Sequence, residues 1–214
     1  MMTPTATVFV IDDDEAVRKS LGRLLGAAQY RIELFKSASE FLTRSPHPGP
    51  SCVVVDVRMP GLNGIDLQKA LIERHREEQI VFITGHGNIP MCAQAMKAGA
   101  VDFLPKPFKP KELLVSVERA LSRSAEQCRR AAEKDYALGL LGRLTPREFQ
   151  VMQLVITGLL NKQVGAELGM AEKTVKTHRG HVMQKLGITS VAELIGVVKK
   201  AEVPPVVRPA TKVS

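Results

Sequence analysis

Five short runs of apolar, mostly β-branched residues punctuate the first half of the chain: Thr7–Ile11, Arg31–Phe35, Cys52–Val55, Ile80–Thr84 and Val101–Leu104. Between them, hydrophobic residues return at helical spacing. Val17, Leu21, Leu24 and Leu25 mark one helix, and Phe41 and Leu42 a short second. Ile65, Leu67, Leu71 and Ile72 mark a third, Met91, Ala95 and Met96 a fourth, and Leu113, Leu114, Val117 and Leu121 a fifth. Five strands alternating with five helices predict an α/β fold, a doubly wound five-stranded parallel sheet covered on both faces. In such sheets ligands bind outside the carboxyl ends of the strands.

The pattern then changes. From Ser122 to Leu140 the chain turns to Ala, Arg, Glu and Gln without a sustained apolar face, which predicts a helical extension running into a linker. Leu144 to Val198 is helical throughout, with breaks at Thr157–Gly158, Gly169 and Gly187, and the last dozen residues carry Pro204, Pro205 and Pro209. The expected organisation is a domain over 5–123, a helical linker over 124–142, a small all-α domain over 143–200 and a disordered tail over 201–214.

Charge separates the halves. Residues 1–125 are nearly balanced, 16 Lys and Arg against 14 Asp and Glu, whereas 126–214 carry 14 against 8. The excess points the second half toward a polyanion. Two Tyr, seven Phe and no Trp weigh against single-strand binding by base stacking. Cys52, Cys92 and Cys128 form no C-x-x-C pair, and the first two sit in apolar or small-residue runs that predict burial. The N-terminus has no basic segment of a signal peptide, and no apolar run approaches the ~18 residues of a membrane span. A cytoplasmic protein with no membrane partner is expected.

The first half carries an acidic constellation. Strand one runs into Asp12-Asp13-Asp14, strand three into Asp56, strand four ends in Thr84, and Lys106-Pro107 follows strand five. In a parallel sheet these meet at one edge, where clustered carboxylates need a cation, and hard oxygen donors suit Mg²⁺. A carboxylate there can also act as a nucleophile toward phosphorus. Lys106 and the metal would neutralise a transferring phosphoryl group, with the Thr84 hydroxyl donating a further bond.

The runs V-F-V-I-D-D-D-E, V-V-V-D-V-R-M-P-G-L-N-G, V-F-I-T-G-H-G and A-M-K-A-G-A-V-D-F-L-P-K-P-F resemble the receiver domain of two-component response regulators. The resemblance implies a flavodoxin-like sheet with Asp56 as the phosphorylated residue. It implies Asp13 as a direct Mg²⁺ ligand, Asp12 as a ligand through water, and Asp56 and the Arg58 backbone carbonyl completing the protein set. Thr84 corresponds to the switch hydroxyl, Lys106 to the phosphate-pairing lysine, and Phe103 to the aromatic that rotates with Thr84. The Lys106-Pro107 bond is expected to be cis, and Asp14 to start a helix rather than bind metal. Every chemical position of the family is occupied. An FMN site is disfavoured by the acidic first loop, nucleotide sites by the absence of G-x-G-x-x-G and G-x-x-x-x-G-K-[ST], and an aspartyl phosphatase by Arg58 two residues past the nucleophile.

In the second half, Thr145-Pro146-Arg147-Glu148 reads as a capping box with Pro at the first helical position. Asn161 is expected to cap the next helix, and Gly169 to turn into a third. Gly165, inside the second helix, suggests a close approach. On the third helix, about Glu172 to Leu186, Val175, Val182 and Leu186 share one face with Met183 at its margin. Lys173, Thr177, Gly180 and Gln184 lie opposite, flanked by Lys176 and His181. Small, polar and cationic side chains on that face suit a helix that enters a DNA major groove.

L-T-P-R-E, N-K-Q-V-G-A-E-L-G and K-T-V-K-T-H-R-G-H-V-M-Q-K-L-G resemble the LuxR-type helix-turn-helix of FixJ/NarL response regulators. By that resemblance Lys176 and Thr177 contact the groove and Lys173 the DNA backbone. Ala171 departs from the Ser or Thr cap frequent in the family, and Gly180 from a groove-contacting Lys. His178 and Arg179 lie nearer the packed side. The expected function is a transcriptional regulator activated by phosphoryl transfer from a sensor histidine kinase to Asp56. Its expected partners are double-stranded DNA, that kinase, a second copy on phosphorylation, and RNA polymerase. It is expected to be no enzyme beyond slow self-dephosphorylation. The alternative is a phosphorylation-independent regulator that uses its receiver as an interaction module.

Overall fold

The structure, a computed structural model, describes residues 6–85 and 89–205. The chain divides into two compact units, Met1–Cys128 and Arg129–Ser214. The first contains strands β1 (Thr7–Ile11), β2 (Arg31–Phe35), β3 (Ser51–Asp56), β4 (Gln79–Thr84) and β5 (Asp102–Pro105). Helices α1 (Glu15–Ala27), α2 (Ala38–Thr43), α3 (Gly64–Glu73) and α4 (Ile89–Lys97) alternate with them, and α5 (Pro110–Leu141) follows β5.

All neighbouring strands pair in parallel, in the order β2-β1-β3-β4-β5. Alternate residues of each strand feed different layers. Phe9, Ile11, Val53, Val55 and Phe82 pack with Phe41 of α2, Leu67 and Leu71 of α3 and Ala95 of α4. Val8, Val10, Val54, Val81 and Ile83 pack instead with Leu21 and Leu25 of α1 and Leu113 and Val117 of α5. Burial on both faces explains why these strands read as continuous apolar runs rather than alternating ones. Each such Leu or Phe contributes about 1.5–3 kcal/mol. Cys52 is buried as expected, while Cys92 and Cys128 are half-buried, and all three thiols are free.

The second unit holds α6 (Pro146–Val155), α7 (Asn161–Leu168), α8 (Glu172–Leu186) and α9 (Val191–Lys200). Its core joins Val151, Met152, Val164, Val175, Val182, Leu186, Leu194 and Val198. Gly169 and Gly187, at φ of 64° and 66°, end α7 and α8 in the left-handed conformation that glycine tolerates best.

Three expectations need revision. The segment over 124–142 is helical as expected but is not only a linker: Ala137, Leu140 and Leu141 at the end of α5 are buried in the core of the second unit. The chain also stays packed past residue 200, because Ala201 is buried and Val203 rests on the same core, while 206–214 lie outside the described residues. Asn161 is not the cap of α7. Leu160 holds that position, its backbone N–H donating to Gln163 Oε1 at 2.9 Å, and Asn161 Oδ1 instead accepts from Arg179 Nη1 of α8 at 3.1 Å.

Candidate functional site

In the strand order, β1 and β3 are neighbours, yet the chain leaves β1 toward β2 on one side and returns to β3 on the other. This reversal opens a crevice at their carboxyl ends. Asp12 follows β1 and Asp56 ends β3, so both stand at that crevice. One carboxylate oxygen each from Asp12, Asp13 and Asp56 lie within 4.8 Å of one another. Asp12 is 1% exposed, Asp56 half-buried and Asp13 exposed.

Lys106 arrives from the far end of β5. Its Nζ donates to Asp12 Oδ2 at 2.9 Å and to Asp56 Oδ2 at 3.0 Å. The Lys106-Pro107 bond is cis, and the Lys106 N–H donates to the Thr84 carbonyl at 2.6 Å. Burial raises the Asp12 pKa despite the opposing bonds from Lys106 and the Asp14 N–H. For Lys106, burial pulls the pKa down, but the bonds to Asp12 and Asp56 outweigh it and leave it raised. Three carboxylates facing one ammonium leave a deficit of positive charge, and an all-oxygen donor set suits a hard divalent cation.

Asp14 turns away from this cluster. Its Oδ1 accepts from the Ala16 and Val17 amides at 2.7 and 3.3 Å and caps α1. Arg58 is exposed, and its backbone N–H donates to Asp56 Oδ1 at 3.2 Å. Thr84 is buried at the end of β4. Phe103 pairs in register with Phe82 across β4 and β5, their rings 5.9 Å apart.

Two contributors escaped the reading of the sequence. Arg18 Nη1 donates to the Asp12 carbonyl at 2.6 Å, holding the acidic loop to α1. Gly64 lies against the Asp56 backbone, where a β-carbon would sit 2.6 Å from the Asp56 oxygen. The Asn63-Gly64 pair, at the far end of the loop that follows the acidic strand, was its only local signal.

In the second unit, Thr145 and Glu148 form the expected capping box at the start of α6. Glu148 is buried, and its Oε2 accepts from Lys185 Nζ at 2.6 Å and from the Thr145 N–H at 2.8 Å. The Lys185 bond above all holds this carboxyl down to about 2. The close approach at Gly165 is to the α7–α8 turn: a β-carbon there would meet the Met170 carbonyl oxygen at 2.6 Å.

Lys173, Lys176, Thr177, Gly180, His181 and Gln184 are all exposed on α8, while Val175, Val182 and Leu186 are buried. Ala171 stands at the N-cap and makes no side-chain bond. His178 and Arg179 are half-buried, and Arg179 is committed to Asn161. No helix among the described residues is long and apolar enough to cross a membrane.

Comparison with known proteins matches both units. Residues 8–118 match the response regulator receiver domain, and residues 143–198 the luxR family of bacterial regulatory proteins. The chain is 50% identical over 192 residues to nodulation protein W of Bradyrhizobium diazoefficiens, covering 89% of this chain and 84% of that protein. It is 39% identical over 200 residues to the transcriptional regulatory protein FixJ of the same organism, covering 94% and 98%. Among solved structures, response regulator StyR superposes with a TM-score of 0.81 at 48% identity, over 92% of this chain and 99% of that one. The chain therefore belongs to the transcriptional response regulators that join a receiver domain to a LuxR-type DNA-binding domain.

Proposed function

We propose that Asp56 accepts a phosphoryl group from the phosphohistidine of a sensor kinase, and that the modified receiver promotes specific binding of α8 to operator DNA. One observation carries the reading: Asp12, Asp13, Asp56 and Lys106, from three separated stretches of chain, meet at a single crevice. In the transfer, an Asp56 carboxylate oxygen attacks phosphorus, the P–O bond forms, and the P–N bond to the kinase histidine breaks. Lys106, already on Asp56, pairs with the phosphoryl oxygens as they arrive. Thr84, at the end of the adjacent strand, donates its hydroxyl to the same group, and Phe103 follows it. Asp13, Asp56, the Arg58 carbonyl and, through water, Asp12 would hold Mg²⁺, which when bound neutralises charge on the transferring group. Attack of water on the acyl phosphate resets the switch slowly.

Signal leaves through α4, β5 and the start of α5, where Met96 and Val115 are exposed apolar residues and Asp102 and Arg119 pair at 3.5 Å. A symmetric contact between two copies there would match two DNA half-sites, and RNA polymerase is the further partner of such a cytoplasmic regulator. On α8, Lys176, Thr177, Gly180 and Gln184 face the groove with His181 at the flank of that face, and Lys173 faces the DNA backbone. Incubation with acetyl phosphate and Mg²⁺ followed by intact-mass measurement tests the assignment. One phosphoryl increment is expected, lost with EDTA and lost in Asp56→Asn. An increment retained in Asp56→Asn would falsify it. Sedimentation of the phosphorylated chain should show dimers, and a monomer at tens of micromolar on and off DNA removes the interface.

A further inference from the structure

The start of α6 and the middle of α8 bring together Glu148, His178 and His181. One carboxylate oxygen and one ring nitrogen of each histidine lie within 4.8 Å of one another. The histidines stand three residues apart on one helix, so they project from adjacent turns onto one side. Glu148 uses its two oxygens unequally. Oε2 takes both the Thr145 N–H and Lys185, whereas Oε1 faces His181 Nδ1 at 3.8 Å, too far for a hydrogen bond. His178 Nδ1 is buried and has no hydrogen-bond partner among the described residues. A buried polar atom left in this way calls for a specific cause, and a bound ion is one.

We infer that Glu148 Oε1 and one ring nitrogen each of His178 and His181 form a binding site for a divalent cation of the zinc type. Two imidazoles and a carboxylate are the donor set of zinc sites that leave a fourth position to water. Bonds of about 2.0–2.2 Å require the three donors to draw closer than they stand. The His181 side chain, 54% exposed, has room to swing inward. Glu148 is ionised and held in place by bonds that leave Oε1 unshared. Lys185 sets a positive charge beside the cation and so limits its affinity. The aspartate crevice is a different kind of site, all oxygen, and suits a harder ion. Cation binding would clip α8 to α6, and it does not depend on the DNA-binding reading of α8.

The full-length chain, stripped of metal and kept in excess Mg²⁺ to occupy the aspartate crevice, is titrated with Co²⁺ and then Zn²⁺. One equivalent of Co²⁺ should develop the strong visible absorption of a four-coordinate ion, and one equivalent of Zn²⁺ should remove it. Zn²⁺ should also raise the melting temperature, since the assembled site binds it more tightly than the unfolded chain does. His181→Ala changes an exposed side chain, so the fold survives. It should lower Zn²⁺ affinity at least tenfold and abolish both effects. Glu148→Gln, checked for retained helix by circular dichroism, should lower affinity as well. Absence of the Co²⁺ band in the wild-type chain, or a band and affinity unchanged in His181→Ala, overturns the site.

Discussion

Gly64 lies so close to Asp56 that a β-carbon on it would stand 2.6 Å from the Asp56 carbonyl oxygen. The same atom would sit 3.2 Å from the Phe82 ring, so neither backbone nor aromatic neighbour leaves room. Gly64→Ala must therefore push the β3 end and α3 apart. It should cost about 1–3 kcal/mol, the range of overpacking in a tight interior. Because the displaced oxygen belongs to the proposed phosphoacceptor, phosphoryl uptake should slow as well. Urea unfolding and the rate of mass gain in acetyl phosphate measure the two effects. A variant as stable as the parent would mean that the helix start relaxes freely.

Acid should weaken the receiver unit through His47. Its ring meets Phe9 edge-on at 5.6 Å, and its Nε2 is buried without a hydrogen-bond partner among the described residues. Burial first, then the charge of Arg44, lowers its pKa from 6.5, with Arg31 acting the same way and Glu33 and Glu78 opposing. The unfolded chain thus binds this proton more readily than the folded one. The stabilisation is complete above pH 6.5 and is lost as pH falls below it, until the folded form also takes the proton. The denaturation midpoint should fall between about pH 7 and about pH 5, and His47→Phe should flatten that slope. An equal slope in the variant would assign it to other groups.

Lys173 and Lys176 should separate by specificity rather than by charge. Lys173 sits at the N-terminal turn of α8, and Lys176 one turn further along its exposed face. Phosphate contacts set affinity without reading sequence, while base-edge contacts discriminate by about 1–3 kcal/mol per good pair. Lys173→Ala should weaken operator and random duplex alike and reduce the salt slope by about one ion. Lys176→Ala should narrow the gap between them. If that ratio stays within about twofold of the parent, Lys176 contacts phosphate and the groove assignment fails.

Gly180 is the converse of Gly64. Nothing lies within 4 Å of a β-carbon built there, although the residue is in the middle of α8. Gly180→Ala should stabilise the second unit by about 0.5–1 kcal/mol, the helix penalty of glycine removed without a clash. Gly180→Lys should add about one ion to the salt dependence of DNA binding. Thermal unfolding and salt titration check each in turn, and a loss of stability in Gly180→Ala would show that the backbone at 180 departs from the helix.

Periodicity and strand-end chemistry alone determined the α/β class, the all-α second half and the acidic edge. A short apolar run such as Cys52–Val55 has few ways to satisfy its backbone except inside a sheet, and parallel strands bring their carboxyl ends to one side whatever their order. The inward face of α8 was legible for the same reason, because Val175, Val182 and Leu186 repeat at helical spacing. What depends on docking between distant elements was not legible. Local rules offered Asn161 as a cap, but Arg179 of α8, 18 residues away, takes its side chain. Sparse apolar residues near the end of α5 gave no stripe, yet Ala137, Leu140 and Leu141 are buried because α6 to α9 form a core around them. Gly64 and Gly180 look alike as letters, and only the neighbours that folding brings to each decide that one is crowded and the other open. Hydrophobic period is a property of a single segment, whereas crowding, burial and the choice of hydrogen-bond partner belong to pairs of segments that the sequence keeps apart.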